Sequence, residues 1–434
     1  MSLPLSSSPA LPLPVLSLLL LTLVAADGDQ SSTPIVASIT KDPTTSLYTI
    51  PVERYAPMVL DLAGPLVWST CPKGKVWWSP RPTVPCNSKQ CKIANMKRPA
   101  GCASAGGGQP GSTVENCNCT AYAYHPVTRQ CISGDLSIGN MNMRATDGQR
   151  AMYPAIIAPY EVCVNDGFLA SLPKDAAGFA GLSRLPLSLP FQVAAQRRVA
   201  KEFALCLPSD GQKGVAIFGG GPFQLQSAHP QDLAEAIRQN PLPLLKNPKN
   251  GAYYFGVHGI AVNQKQVDLS PGALDLDTRH GKGGVMFSTV APCTKLRDDI
   301  FLKLINAFND ATQGIPRRKP PPPFELCYEA SAFETTRVGP GVANIDLMLD
   351  GGRNWTLPGA SSLVQVGQGM LCFAFHRMNS DNVAIPYSPA IIFGAHQMAD
   401  NVVLFNPEKS TFGFSGLLLG QSTNCGNFEF GDSA

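Results

Sequence analysis

The stretch MVLDLAGPLVWSTC, Met58 to Cys71, sets one carboxylate, Asp61, between an apolar run and a small glycine-containing turn. Such a carboxylate does acid–base chemistry when a second one stands close enough to share its proton. Two like charges that close cannot both ionise, so one stays an acid while the other serves as base. The chemistry at Asp61 therefore depends on a partner. Other catalytic patterns are missing: there is no H-E-x-x-H for zinc and no G-x-S-x-G for a serine nucleophile. GGGP at Gly219 to Pro222 follows a strand-like run, but no G-x-G-x-x-G or Lys-Ser/Thr pair accompanies it, and it reads as a turn. The six histidines, His125, His229, His258, His280, His376 and His396, are scattered, and His376 reads as a strand-end surface residue. No cofactor or metal is expected.

Thirteen cysteines are present, and seven of them fall between Cys71 and Cys131. The first 26 residues carry no charge, and Val15 to Val24 is an apolar core of about ten residues, too short for the ~20 a membrane helix needs. Small residues at Val24 to Ala26 suit signal peptidase, so residues 1–26 read as a signal peptide. In a secreted chain the clustered cysteines read as disulfides rather than zinc ligands, and an odd number leaves one thiol over. NCT at Asn118 and NWT at Asn354 are glycosylation acceptor patterns.

The elements that must position these groups are short. Charged residues make up 15% of 434, with 40 glycines and 39 prolines, a balance that suits β structure and many turns. Strand-like runs include Leu47 to Val52, Val215 to Gly220, Tyr253 to Val262, Asn344 to Leu349, Leu371 to Phe375, Ala390 to Ala395 and Val402 to Asn406. Two stretches read as helices, Pro190 to Ala204 and Arg297 to Ala311. The polyproline run Arg317 to Phe324 reads as an exposed connector open to proteases. Net charge is +3 with scattered Lys and Arg, which excludes a nucleic-acid stripe, and no second stretch is apolar enough to span a membrane.

Six landmarks in order, LDLAGPLVWSTC, GFAGLSRLPLSLPFQ, YYFGVHGIAVNQKQV, GGVMFSTVAP, IDLMLDGGRNWTLPG and FGFSG, resemble the plant-type pepsin-like aspartic proteases. More narrowly, the chain resembles the TAXI-type xylanase inhibitors of cereals, the extracellular dermal glycoproteins and the legume basic globulins. The resemblance implies a mainly β, bilobal pepsin-like fold with a central cleft and a few short helices. It implies a cysteine-rich N-terminal lobe over residues 27–225 and a C-terminal lobe over 226–434. It implies a secreted, monomeric apoplastic protein that binds microbial glycoside hydrolases, endo-xylanases above all, without nucleic-acid or membrane partners. A storage or receptor-like globulin and an active aspartic peptidase are the rival readings.

By the same resemblance the second catalytic Asp falls at Ser288, and no Asp or Glu lies between Asp277 and Asp298 to replace it. A serine hydroxyl cannot stand in as acid or base near neutral pH. The loop glycines become Ala63 and Val290, and the flap stretch Tyr122 to Cys131 carries His125-Pro126 in place of Gly-Asp. Asp61 and Ser288 are thus the degenerate dyad positions of a non-enzyme. The family's cysteine positions match Cys71, Cys86, Cys91, Cys102, Cys117, Cys119, Cys131, Cys163, Cys206, Cys327, Cys372 and Cys425, leaving Cys293 as the free thiol. Cys327 with Cys372, and Cys206 with Cys425, are the implied C-terminal pairs. In xylanase-inhibiting relatives a histidine follows the last GFS strand. Here that loop, Ser415 to Cys425, holds no histidine and no charge. Gln421, Ser422, Thr423 and Asn424 are its polar candidates for contact, with Leu418 among its three leucines.

Overall fold

β-branched and aromatic residues between closely spaced turns form short strands, and these repeat one pattern twice. The computed structural model describes residues 32–52, 55–70, 82–98, 102, 115–209, 211–227, 231–378 and 388–431. The expected signal peptide lies outside them. Ser31 to Ala434 is one unit.

In the first half, Tyr55–Asp61 runs parallel to Gly178–Gly181, which pairs antiparallel with Val67–Ser69, itself parallel to Tyr160–Cys163. In the second half, Val285–Phe287 runs parallel to Ile391–Phe393, which pairs antiparallel with Thr294–Leu296, itself parallel to Phe375–Arg377. Each half thus passes one strand between two others, with a glycine at the tightest point. A Cβ on Gly181 would lie 2.3 Å from the Leu66 carbonyl oxygen, and one on Gly394 would lie 2.4 Å from the Cys293 carbonyl carbon. No other residue type fits so close an approach.

A shared sheet joins the halves. Phe203–Cys206 pairs with Lys213–Phe218 on one side and Val402–Asn406 on the other. Ile35–Lys41 extends it from the first half, and Thr411–Phe414 from the second. One apolar core runs through both halves, from Ile35 and Leu60 to Phe287 and Phe405. A second fills the space behind Asp61 with Val59, Trp68, Val162 and Phe179.

The helices differ from the sequence reading in one respect. Asp298–Ala311 forms as expected, burying Ile300, Phe301, Leu304 and Phe308. Leu189–Arg197 stops at Arg198, whose φ is 55°, and Phe203–Cys206 is a central strand. Pairing on both edges overrides the helix propensity of that segment. Arg317 and Arg318 are not a loose connector. They pair with Tyr328 and Cys327, Arg317 stacks 4.3 Å from the Tyr328 ring centroid, and Arg318 meets Glu329 at 2.7 Å. No helix among the described residues is long and apolar enough to cross a membrane.

Candidate functional site

Asp61 closes its strand. Its carbonyl oxygen accepts from Gly64 N–H at 3.0 Å and Leu182 N–H at 2.8 Å, and its Oδ1 accepts from Ala63 N–H at 2.9 Å. The side chain is buried, and burial pushes its carboxyl up to about 6 while the Ala63 and Gly64 amides pull the other way. No second carboxylate contributes to that shift. Ser288, also buried, follows the equivalent strand of the second half. Its Oγ accepts from Val290 N–H at 3.3 Å and Ala291 N–H at 3.1 Å, so the hydroxyl turns into its own loop. Neither Ala63 nor Val290 has a positive φ, so both loops accept a side chain there.

Thr289 stitches the two loops together. Its buried Oγ1 donates to the Leu60 carbonyl at 2.6 Å and accepts from Leu62 N–H at 3.2 Å. Leu62, at the matching place on the other loop, has no hydroxyl to return the bond. Sequence reasoning singled out Asp61 and Ser288 but not this bridge, because its partners are 227 and 229 residues away.

Thr120–His125 and Gln130–Ile138 form an antiparallel hairpin, the stretch matched to the family's flap. Trp68 Nε1 donates to the Tyr124 carbonyl at 3.1 Å. Burial raises the Tyr124 phenol, Arg129 lowers it and the charge on Asp61 raises it. His125 is fully buried, its ring 5.5 Å from Phe168 and 5.4 Å from Phe179, and burial lowers its pKa below the ordinary imidazole value. In the second half Lys295 and His376 are register partners on paired parallel strands. His376 is not the surface residue expected from sequence. It is half-buried against Phe324, and burial, with Lys295 adding, lowers it to about 4.

Cys293 is the free cysteine among the described residues, and burial pushes its thiol up to about 11. Disulfides join Cys86 to Cys117, Cys91 to Cys119, Cys102 to Cys131, Cys206 to Cys425 and Cys327 to Cys372. Cys163 is also disulfide-bonded, and Cys71 lies outside the described residues. Asn118 sits exposed between two bridged cysteines, with Thr83 donating to its side chain at 2.9 Å. Asn354 is exposed on the strand Asn354–Leu357, with Thr356 on the same face.

The loop Ser415 to Cys425 separates the five expected contact residues. Gln421 and Ser422 are exposed. Thr423 is buried, its hydroxyl donating to the Gln226 carbonyl at 3.3 Å and accepting from Asn427 Nδ2 at 3.0 Å. Asn424 caps the following turn through Gly426 N–H at 2.8 Å. Leu418 is fully buried among Cys206, Leu225, Leu233 and Val402, so its side chain is core, not contact surface. An apolar residue placed over a waiting core packs inward, and the sequence carried no sign of that core.

Residues 48–220 match the family described as xylanase inhibitor N-terminal, and residues 252–416 match xylanase inhibitor C-terminal. Chitinase CLP of Oryza sativa subsp. japonica is 41% identical over 408 residues, covering 92% of this chain and 91% of that protein. Gamma conglutin 1 of Prunus dulcis is 32% identical, covering 96% of each. The crystal structure of edgp superposes with a TM-score of 0.81 at 28% identity, covering 93% of this chain and 99% of that one. Basic 7S globulin from soybean shares the fold with a TM-score of 0.73 at 23% identity, covering 93% of this chain and 100% of that one.

Proposed function

The chain belongs to the xylanase inhibitor family of pepsin-like plant proteins, and from that premise we propose that it is a secreted, proteolytically inactive protein that binds and inhibits microbial endo-xylanases. The observation that supports the reading is a buried Asp61 whose raised carboxyl owes nothing to a second carboxylate, on a loop that Thr289 joins to the loop of Ser288. In this reading Ser288 takes the place of a second catalytic Asp. Peptide hydrolysis by this fold needs two carboxylates sharing a proton. The raised carboxyl of Asp61 owes its shift to burial and not to a like-charged neighbour.

One relative's name is that of a chitinase. Glycoside hydrolysis in its usual two-carboxylate form also uses a pair of carboxyl groups, ~5 to 9.5 Å apart. That requirement and the isolation of Asp61 favour binding over hydrolysis for this chain. The contact surface proposed is the exposed part of Ser415 to Cys425, with Gln421 and Ser422 as hydrogen-bond groups for the target's catalytic carboxylates. Neutral donors bind a carboxylate less strongly than a cation does, so the proposal includes a shifted target range. Residues 1–26 serve as signal peptide, residues 27–225 and 226–434 as the two lobes, and Asn354 as the more open glycosylation site.

The purified chain should cleave neither denatured haemoglobin from pH 2 to 6 nor colloidal chitin. It should inhibit at least one member of a panel of fungal and bacterial xylanases, and Gln421→Ala should weaken that inhibition. Pepstatin-sensitive proteolysis or chitin cleavage abolished by Asp61→Asn would refute the inactive reading. No inhibition, with no glycosidase retained from fungal culture filtrate, would favour a storage globulin.

A further inference from the structure

We infer that the cavity beneath the C-terminal loop is a binding site for one neutral pyranose ring. The cavity encloses about 230 Å³ and is bounded by Leu225, Leu233, Ser227, Gln231 and the stretch Gln421 to Thr423. Its floor and rim differ in chemistry. Leu225 and Leu233 are buried members of the apolar core below. Gln231, Gln421 and Ser422 stand exposed at the mouth, with Ser227 half-buried beside them. Among the described residues no charged side chain lines the space.

That lining selects a ligand class. An anion or a cation would be desolvated with no opposite charge among the described residues to meet it. A pyranose presents apolar C–H faces and a hydroxyl edge, which match leucines below and amides and hydroxyls around. The rim groups are open to exchange. Gln231 Nε2 reaches Gln421 Oε1 only at 3.5 Å, and Gln421 Nε2 reaches the Ser415 carbonyl at 3.3 Å, both long bonds that ligand hydroxyls can replace. The hydroxyls of Ser227 and Ser422 make no hydrogen bond among the described residues. The volume is below the roughly 300–1,000 Å³ of drug-sized sites, which limits the ligand to one ring of a chain.

The wall is held before any ligand arrives. Cys425 is bridged to Cys206, its N–H donates to Asp400 Oδ1 at 3.1 Å, and Leu418 anchors the loop from below. Ser422 takes a left-handed φ of 58°, which turns the chain over the cavity. No aromatic ring lines the site among the described residues, so recognition rests on hydrogen bonds and binding is weak. The inference does not depend on the inhibitory reading: a chain that inhibits no xylanase would still carry the cavity.

Saturation-transfer NMR on the full secreted chain tests it, with xylobiose, N,N′-diacetylchitobiose and mannobiose as probes and glucuronate as a charged comparison. At least one neutral disaccharide should show transfer concentrated on one ring, and the three arms separate plant-wall, fungal-wall and protein-linked sources. The Gln231→Leu/Gln421→Leu variant should lose transfer at least tenfold with an unchanged thermal midpoint, since both side chains are exposed. Ser227→Leu, which fills the cavity, should lose it as well. No transfer from any neutral probe, equal transfer in both variants, or stronger transfer to glucuronate would overturn the site.

Discussion

Asp61 is a carboxylate whose surroundings favour its neutral form. The folded chain holds the proton up to about 6, whereas the unfolded chain releases it near 3.8. A group whose folded pKa is raised contributes stability that is full below the unfolded value and is lost as pH rises through the folded one. Ionisation at pH 7 therefore costs about 3 kcal/mol. Asp61→Asn keeps an oxygen for the Ala63 N–H and removes the charge. Its stability should match the wild type near pH 3.5 and exceed it by up to about 3 kcal/mol at pH 7, with the change concentrated between pH 4 and 6.5. Urea denaturation across that range measures it, and a variant less stable than wild type at pH 7 would show a partner that favours the charged form. Asp61 and Ser288 could be singled out together only through the resemblance to pepsin-like proteins, since a serine after an apolar run carries no signal of its own. The inward turn of Leu418 was not legible in the sequence, because three consecutive leucines carry no sign of which one meets a core.

At the scale of elements, one hydroxyl joins two loops that strand order alone would only bring near each other. Thr289→Val removes a donor from the Leu60 carbonyl and an acceptor from the Leu62 N–H, both inside the protein. Leaving such groups unpaired costs about 1–3 kcal/mol each, so the variant should lose roughly 2–6 kcal/mol. The change keeps shape and volume, so a neutral result by chemical denaturation would mean the bridge is replaced by another contact. Much of the element structure could be read beforehand. Val402–Asn406 and Asp298–Ala311 fall within a residue of the expected spans, since alternation and amphipathicity there agree with the packing. Phe203–Cys206 could not, because Ala, Lys and Glu around it favour a helix and only its pairing with strands on both sides makes it β. The cavity was equally hidden: Gln231 and Gln421 lie 190 residues apart.

The whole molecule is tied by its C-terminal tail, which returns to the first half. The Cys206–Cys425 disulfide closes a separation of 219 residues. The tail is held independently as well. Leu418 and Phe428 pack with Val36, Ala204 and Val215, and Asn427 accepts from Gln226 N–H at 2.7 Å. The chain-entropy argument gives a bridge of this span about 5 kcal/mol, acting mainly through the unfolded state. The two kinds of restraint are separable. Cys206→Ala with Cys425→Ala should lower the unfolding free energy by several kcal/mol, yet leave the tail docked at 25 °C, so chymotrypsin should not cut within 416–428, at its leucines or Phe428, faster than in wild type. If the tail were held by the bridge alone, the double variant would be clipped there and would lose pyranose transfer and inhibition together. If stability did not change at all, the unfolded chain would already keep these ends close.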